Sequence, residues 1–220
     1  MLERFKKKHI WYALGVITAG FVVLTILIII YPQSFVDVKF SHEVQEHQNP
    51  FLDSLMVAIS WFGYYPGNVV VVILGAVVFL FFKYWKEALF VLLTSVSGLV
   101  STVVKVLVHR PRPAEPIVRI VQKVNQESFP SGHVLFYIVF FGFIAALMYQ
   151  LRSIAITIRI VLASFSLLLI FTIPFSRMYL GAHWFSDVLG GFLLGILMLF
   201  AQCYFYLKAT IVRPHKKQTT

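Results

Sequence analysis

Residues 10–31 read IWYALGVITAGFVVLTILIIIY, and the first charge after them is Asp37. An apolar run of that length is enough for one α-helical crossing of a bilayer. Arg4, Lys6, Lys7 and Lys8 stand just before it. A cleaved signal peptide has a shorter apolar stretch followed by a small-residue cleavage site; this run is too long and no such site follows. We read it as a first transmembrane helix with its N-terminus inside.

The pattern recurs along the chain. Residues 54–82 carry no charge, but Gly63, Pro66 and Gly67 interrupt them, and adjacent Pro and Gly punctuate structure. The expectation is a short surface helix, a turn, then a second span over 68–82. Further spans are expected at 88–108, 133–150, 160–176 and 185–207. Residues 32–67 then form an external segment, and residues 109–132 a loop rich in Pro and charge. These runs are long and continuous, unlike the short alternating strands of a membrane β-barrel. The fold class is all-α: a polytopic integral membrane protein of six transmembrane helices, with residues 1–220 forming a single membrane-embedded domain.

Composition agrees. Of 220 residues, 59% are hydrophobic and 13% charged, against roughly 45–50% and about 25% in soluble domains. A soluble enzyme is excluded, and so is a disordered chain, which needs low hydrophobicity and high charge. The single cysteine, Cys203, excludes a disulfide framework and a thiolate metal cluster. A net charge of +10 would suggest nucleic acid in a soluble protein. Here it reflects lysines and arginines at the cytoplasmic ends of membrane helices, and no nucleic-acid partner is expected. With the N-terminus inside, twelve basic residues fall on the cytoplasmic side and seven outside, which supports six spans with both termini inside. Six of the seven external cations gather near the ends of spans three and five and in the loop between spans three and four.

Three clusters share that outer rim: Lys105-Val-Leu-Val-His109-Arg110-Pro111-Arg112-Pro113, Pro130-Ser131-Gly132-His133, and Ser176-Arg177 with His183 and Asp187 further on. His183 and Asp187 are four apart, so on a helix they share a face. A carboxylate beside an imidazole fixes its tautomer and stabilises its charged form, although plain solvation of a helix end would also place such residues there. Ser131 is a favoured N-cap and Gly132 permits close backbone approach. A helix start offers free N–H groups to an anion, with His133 in the first turn; simple capping accounts for the pattern as well. Lys105 lies inside an apolar run, where an isolated lysine is costly unless it snorkels. Arg112 and Arg110 each precede a proline and each can grip a phosphate through two hydrogen bonds, so local physics leaves the choice between them open. Together, three cations, two histidines and one aspartate on one aqueous rim form an inventory for phosphoryl transfer without a metal. The external acids are too few and scattered for a carboxylate metal cage.

Lys105-x6-Arg112-Pro113, Pro130-Ser131-Gly132-His133 and Ser176-Arg177-x5-His183-x3-Asp187 resemble the three signature motifs of the type 2 phosphatidic acid phosphatase superfamily, complete, ordered and correctly spaced over residues 105–187. The resemblance implies that superfamily's helical bundle core and selects Arg112 over Arg110. It also implies roles. His183 attacks phosphorus and becomes a phosphohistidine, Asp187 orients and charge-balances it, and His133 protonates the leaving oxygen. Lys105, Arg112 and Arg177 hold the phosphoryl oxygens, with Ser131, the Gly132 amide and Ser176 helping; no metal or cofactor is implied. Among the histidines of the three clusters only His183 has a carboxylate four residues away, which favours it as nucleophile, and His109 is a bystander. The expected partners are the bilayer and a membrane lipid phosphate. The short bacterial members imply phosphatidylglycerol phosphate, phosphatidic acid or undecaprenyl diphosphate, dephosphorylated on the extracytoplasmic face of the cell membrane. The alternatives are a lipid phosphotransferase using the same site and, as a non-enzyme, an anion transporter.

Overall fold

The apolar runs become helices in a computed structural model that describes residues 2–209, with no strand among the described residues. In chain order these are α1 (Leu2–Ile30), α2 (Phe35–Val44), α3 (Pro50–Ser60), a 3₁₀ turn (Trp61–Gly63), α4 (Gly67–Phe81), α5 (Trp85–Leu93), α6 (Val96–Val108), α7 (Gly132–Gln150), α8 (Ile156–Tyr179) and α9 (Phe185–Lys208). The side chains of Arg4, Lys6 and Lys7, and all of Arg213, His215, Lys216 and Lys217, lie outside the described part.

Five stretches are long and apolar enough to cross a bilayer: Lys8–Ile30, Trp85–Val108, Gly132–Gln150, Ile156–Tyr179 and Phe185–Lys208. The stretch expected to hold a short helix, a turn and a second span holds α3, the 3₁₀ turn and α4. Helix α4 has 15 residues, about 22 Å of rise, short of a hydrocarbon core of about 30 Å. Pro50–Gly63 and Gly67–Phe81 meet at a bend of 56° and together are long and apolar enough for a sixth crossing. The third span is also jointed: Thr94 and Ser97 turn their hydroxyls onto the carbonyls of Val91 and Thr94, between α5 and α6. Helix α8 runs through Pro174 to Tyr179, past the expected boundary at 176.

The core is built around α7, whose Val134, Leu135, Tyr137, Val139, Phe143 and Leu147 are almost wholly buried. Helices α8 and α9 pack along it, α1 covers α9, and α4 pairs with α5. Apolar side chains on the outer faces, such as Ile26, Ile73, Val106 and Phe171, are exposed, as expected where lipid is the solvent. With no hydrophobic drive between helices in lipid, small residues set how closely they approach. On α9 a Cβ at Gly191 would lie 2.6 Å from the Ser131 carbonyl oxygen, and one at Gly195 2.9 Å from Ile138.

Helices α2 and α3 are fastened at the end of the bundle where α6 finishes and α7 and α9 begin. Gln45 of α2 donates to the carbonyls of Arg119 and Tyr179, both at 2.8 Å, and accepts from the Arg119 amide at 3.1 Å. Asp53 of α3 accepts both Arg119 guanidinium nitrogens, at 3.1 and 2.6 Å, and the Tyr179 hydroxyl at 2.8 Å. The segment 32–67 is thus tied to the bundle and to the 109–132 loop.

Candidate active site

The three clusters meet around one cavity of about 690 Å³, which Lys105, Arg112, Gly132, His133, Arg177 and His183 all line. Lys105 reaches it from α6, where the chain leaves the helix through His109 in the left-handed conformation. Its ammonium donates to the carbonyls of Glu127 and Ser128. Arg112 follows on the loop and donates to the carbonyls of Gln126, Glu127 and Ala182, with one nitrogen 3.3 Å from His183 Nε2. Arg177 is wholly buried near the end of α8 and donates to Ser60 Oγ at 2.9 Å and Tyr64 Oη at 2.5 Å. None of these three cations has a carboxylate within salt-bridge distance among the described residues; their partners are neutral oxygens and nitrogens. Burial, then the neighbouring Arg177, brings the Arg112 guanidinium down to about 10, so it stays charged near neutrality.

His183 sits in the tight turn from α8 to α9. Gly181 makes that turn with φ of +67°, and a Cβ there would lie 2.3 Å from the Arg119 carbonyl oxygen, so a side chain would meet both strain and collision. The His183 ring is buried, with Nδ1 3.6 Å from Asp187 Oδ2 and Nε2 toward Arg112. That separation exceeds hydrogen-bond length, so the expected pairing of His183 with Asp187 is a close approach here. Burial, then the charges of Arg112, Lys105 and Arg177, holds the His183 imidazole well below the usual histidine range and therefore neutral near pH 7.

His133 occupies the first turn of α7. The Tyr64 ring meets its ring edge-on at 4.3 Å between centroids. Gly63 lies so close that a Cβ would fall 2.2 Å from the imidazole. Ser131 is at the N-cap position but makes no capping bond, so its hydroxyl is not used on the helix, contrary to the simple capping reading. Six buried side-chain polar atoms have no hydrogen-bond partner among the described residues: Ser101 Oγ, Ser131 Oγ, His133 Nε2, Arg177 Nε and Nη2, and His183 Nδ1. All belong to residues at this one site.

One predicted residue sits differently from expectation, and one that was passed over is engaged. The Ser176 hydroxyl bonds Ser60 Oγ and the Met56 carbonyl, both at 2.7 Å, and is turned toward α3 rather than the cavity. Arg110, passed over in favour of Arg112, is 1% exposed and donates to Asp187 Oδ1 at 2.5 Å and Asp37 Oδ2 at 2.7 Å. His109 is exposed, 3.5 Å from Glu127. Sequence reasoning also missed Ser60, Tyr64, Asp37 and Ser128, whose hydroxyl donates a hydrogen bond to Asp187. For Asp37 one signal existed: it is the first charge after the first span.

A helical membrane bundle that gathers uncompensated cations and unpartnered imidazole nitrogens at its helix ends is a membrane protein with a site suited to an anion. Comparison with known proteins gives the family. Residues 84–211 match the PAP2 superfamily. Phosphatidylglycerophosphatase B of Bacillus subtilis (strain 168) is 31% identical over 159 residues, covering 70% of this chain and 74% of that protein. Among solved structures, the first transmembrane PAP2 type phosphatidylglycerolphosphate phosphatase from Bacillus subtilis aligns with a TM-score of 0.77 at 24% identity, covering 92% of this chain and all of that one. LpxE of Aquifex aeolicus aligns with a TM-score of 0.59 at 20% identity, covering 79% of this chain and 98% of that one. The chain belongs to the PAP2 superfamily, the type 2 phosphatidic acid phosphatases, and is a membrane lipid phosphatase.

Proposed function

We propose that this protein hydrolyses the terminal phosphoryl group of a membrane lipid on the extracytoplasmic face, without a metal, through a phosphohistidine at His183. Phosphatidylglycerol phosphate is the first substrate, after the name of the relative at 31% identity. Phosphatidic acid and undecaprenyl diphosphate offer the same terminal group. The observation that carries the reading is that one cavity is lined by three uncompensated cations and by the residues that hold five of the six unpartnered buried polar atoms. Buried polar groups in proteins are otherwise almost all paired, and a phosphate oxygen set supplies the missing acceptors for Arg177 Nε and Nη2.

The residues divide the work as follows. The neutral His183 presents the Nε2 lone pair to phosphorus. As the N–P bond forms, the P–O bond to the lipid breaks and protonated His133 gives its proton to the departing oxygen. Lys105, Arg112 and Arg177 hold the oxygens on which negative charge gathers, assisted by Ser131 and the first amides of α7. Asp187 lies beside the imidazole, which becomes positive on phosphorylation. Neutral His133 then takes a proton from water as that water attacks phosphorus and the N–P bond breaks, releasing phosphate and restoring both histidines. Charge neutralisation at phosphorus rests on the three cations, so chelators leave turnover unchanged.

The shape of the cavity supports a lipid. It follows α6 from Lys105 back through Thr102, Ser101 and Gly98 to Ser95, facing Val69 and Val72 of α4. Ten residues of helix are about 15 Å, so the cavity runs along membrane-spanning helices, where an acyl or isoprenyl chain lies. Burial of that chain contributes roughly 0.8 kcal/mol per CH₂.

Purified protein in nanodiscs should release phosphate from at least one of the three lipids and work far better on a long-chain substrate than on its short soluble analogue. Equal efficiency on both would remove the lipid reading, and transfer of phosphate to an added alcohol in place of release would make it a phosphotransferase. The side of the membrane rests on the basic asymmetry of twelve to seven. A cysteine at Asn125 should react with an impermeant thiol reagent in intact cells and one at Ser153 should not; the reverse would place the site inside.

A further inference from the structure

Arg110, Asp37 and Asp187 form a buried ionic bracket. The Arg110 guanidinium donates through Nε to the Pro32 carbonyl at 2.8 Å, through Nη1 to Ser186 Oγ at 2.7 Å and Asp187 Oδ1 at 2.5 Å, and through Nη2 to Asp37 Oδ2 at 2.7 Å. Asp37 Oδ1 accepts the Ser186 amide at 2.9 Å and its hydroxyl at 2.6 Å. Asp37 Oδ2 also accepts the Ser34 hydroxyl at 2.8 Å. Asp187 Oδ2 accepts the Trp184 amide at 2.9 Å and the Ser128 hydroxyl. Arg110, Asp37 and Asp187 are each at most 1% exposed.

The charges in this bracket do not cancel. One guanidinium lies between two carboxylates, so the unit keeps one negative charge beside His183. Without Asp37, Arg110 would neutralise Asp187, and the imidazole would face only cations. We propose that Asp37 and Arg110 are positioning residues of the reaction: Arg110 locks the Asp187 carboxylate in place, and Asp37 keeps that carboxylate's charge available to the imidazolium that forms on His183. Helix α2, which lies outside the residues matched to the superfamily, thereby becomes part of the catalytic apparatus. The proposal rests on the phosphohistidine reading for its kinetic consequences, but its electrostatic core can be read without turnover.

The groups facing His183 are Lys105 from α6, Arg112 and Arg110 from the loop, His133 from α7, Arg177 from α8 and Asp187 from α9. Asp37→Asn keeps the shape and removes one negative charge, so it disfavours the His183 imidazolium. The titration of His183, followed by NMR of labelled histidine in the purified full chain, should move to lower pH. The acid limb of kcat/KM should move the same way, kcat should fall by about tenfold or more, and KM for the lipid phosphate should stay within about twofold. Arg110→Lys keeps the charge but loses the fork that grips two carboxylates, and should lower kcat at unchanged KM. A residue with a merely structural role would lower the amount of folded protein and leave these readouts alone. Unmoved His183 titration and wild-type kcat per folded molecule in Asp37→Asn would overturn the proposal. Absence of phosphate release by the wild-type protein, with the His183 titration still displaced in Asp37→Asn, would instead fault the functional reading and leave the bracket standing.

Discussion

Arg110 and Arg112 stand on either side of Pro111 and serve opposite regions. Arg110 belongs to a bracket in which two of its four partners are carboxylates. Arg112 belongs to a cradle with Lys105 and Arg177, where the partners are carbonyls, hydroxyls and an imidazole and the positive charges remain unanswered. The residue type and the local sequence are the same. What separates an internal strut from a ligand group is whether the fold supplies the counter-charge. A cation already paired with buried carboxylates has nothing left for a phosphate, whereas three unpaired cations around one cavity need an anion.

That comparison can be broken at several points. The largest expected effect around the cradle is that of His133→Ala, which should lower kcat by about 10²–10⁴-fold while leaving KM nearly unchanged, since it removes the proton donor to the leaving oxygen rather than one of the groups that hold the phosphoryl oxygens. Steady-state phosphate release at varied lipid checks this, and a loss confined to KM would mean His133 binds rather than protonates. Arg110→Met should cost about 3–5 kcal/mol of stability, because two buried carboxylates lose the guanidinium they share. Thermal unfolding in detergent reads this directly. Arg112→Met should instead unfold near the wild-type temperature and weaken the phosphate interaction by about 1.5–3 kcal/mol, the worth of a hydrogen bond to a charged group. If the two arginines exchanged these phenotypes, bracket and cradle would have been assigned the wrong way round. The smallest effect is that of His109→Ala: exposed and outside the cavity lining, it should change neither activity nor stability by more than about 0.5 kcal/mol.

The pH profile sharpens the same contrast. Burial and the cradle cations depress the imidazole of His183 in the free enzyme, and only its neutral form is nucleophilic. Activity is therefore retained as pH falls until His183 protonates, and the acid limb of kcat/KM should lie below the ordinary histidine value of about 6.5. An acid limb at or above that value, assigned to His183, would mean the cations do not act on it.

Much of this was legible in the sequence because it is local. Five spans follow from uninterrupted apolar runs; Lys105, His133, Arg177 and His183 follow from residue type beside helix ends, and Arg112 from the family resemblance, which alone selects it over Arg110. The bend was legible only as a turn at Pro66 and Gly67; its angle of 56° and the packing of α3 against α8 belong to tertiary structure. The bracket was hidden for the same reason. Arg110 meets Asp37 and Asp187 only through tertiary structure, 73 and 77 residues away in the chain, and its immediate sequence matches that of Arg112. Ser176 shows the converse: its place in a motif suggests the cavity, while helix geometry turns its hydroxyl toward Met56 and Ser60.

The central claim is that His183 carries the phosphoryl group. Radiolabelled lipid phosphate mixed rapidly with enzyme and quenched in alkali, which preserves phosphohistidine, should place label on the peptide containing His183. That label should be absent in His183→Ala and should accumulate in His133→Ala if the second step, which needs His133 as base, slows more than the first. Label on the His133 peptide, or full turnover by His183→Ala, would contradict the account.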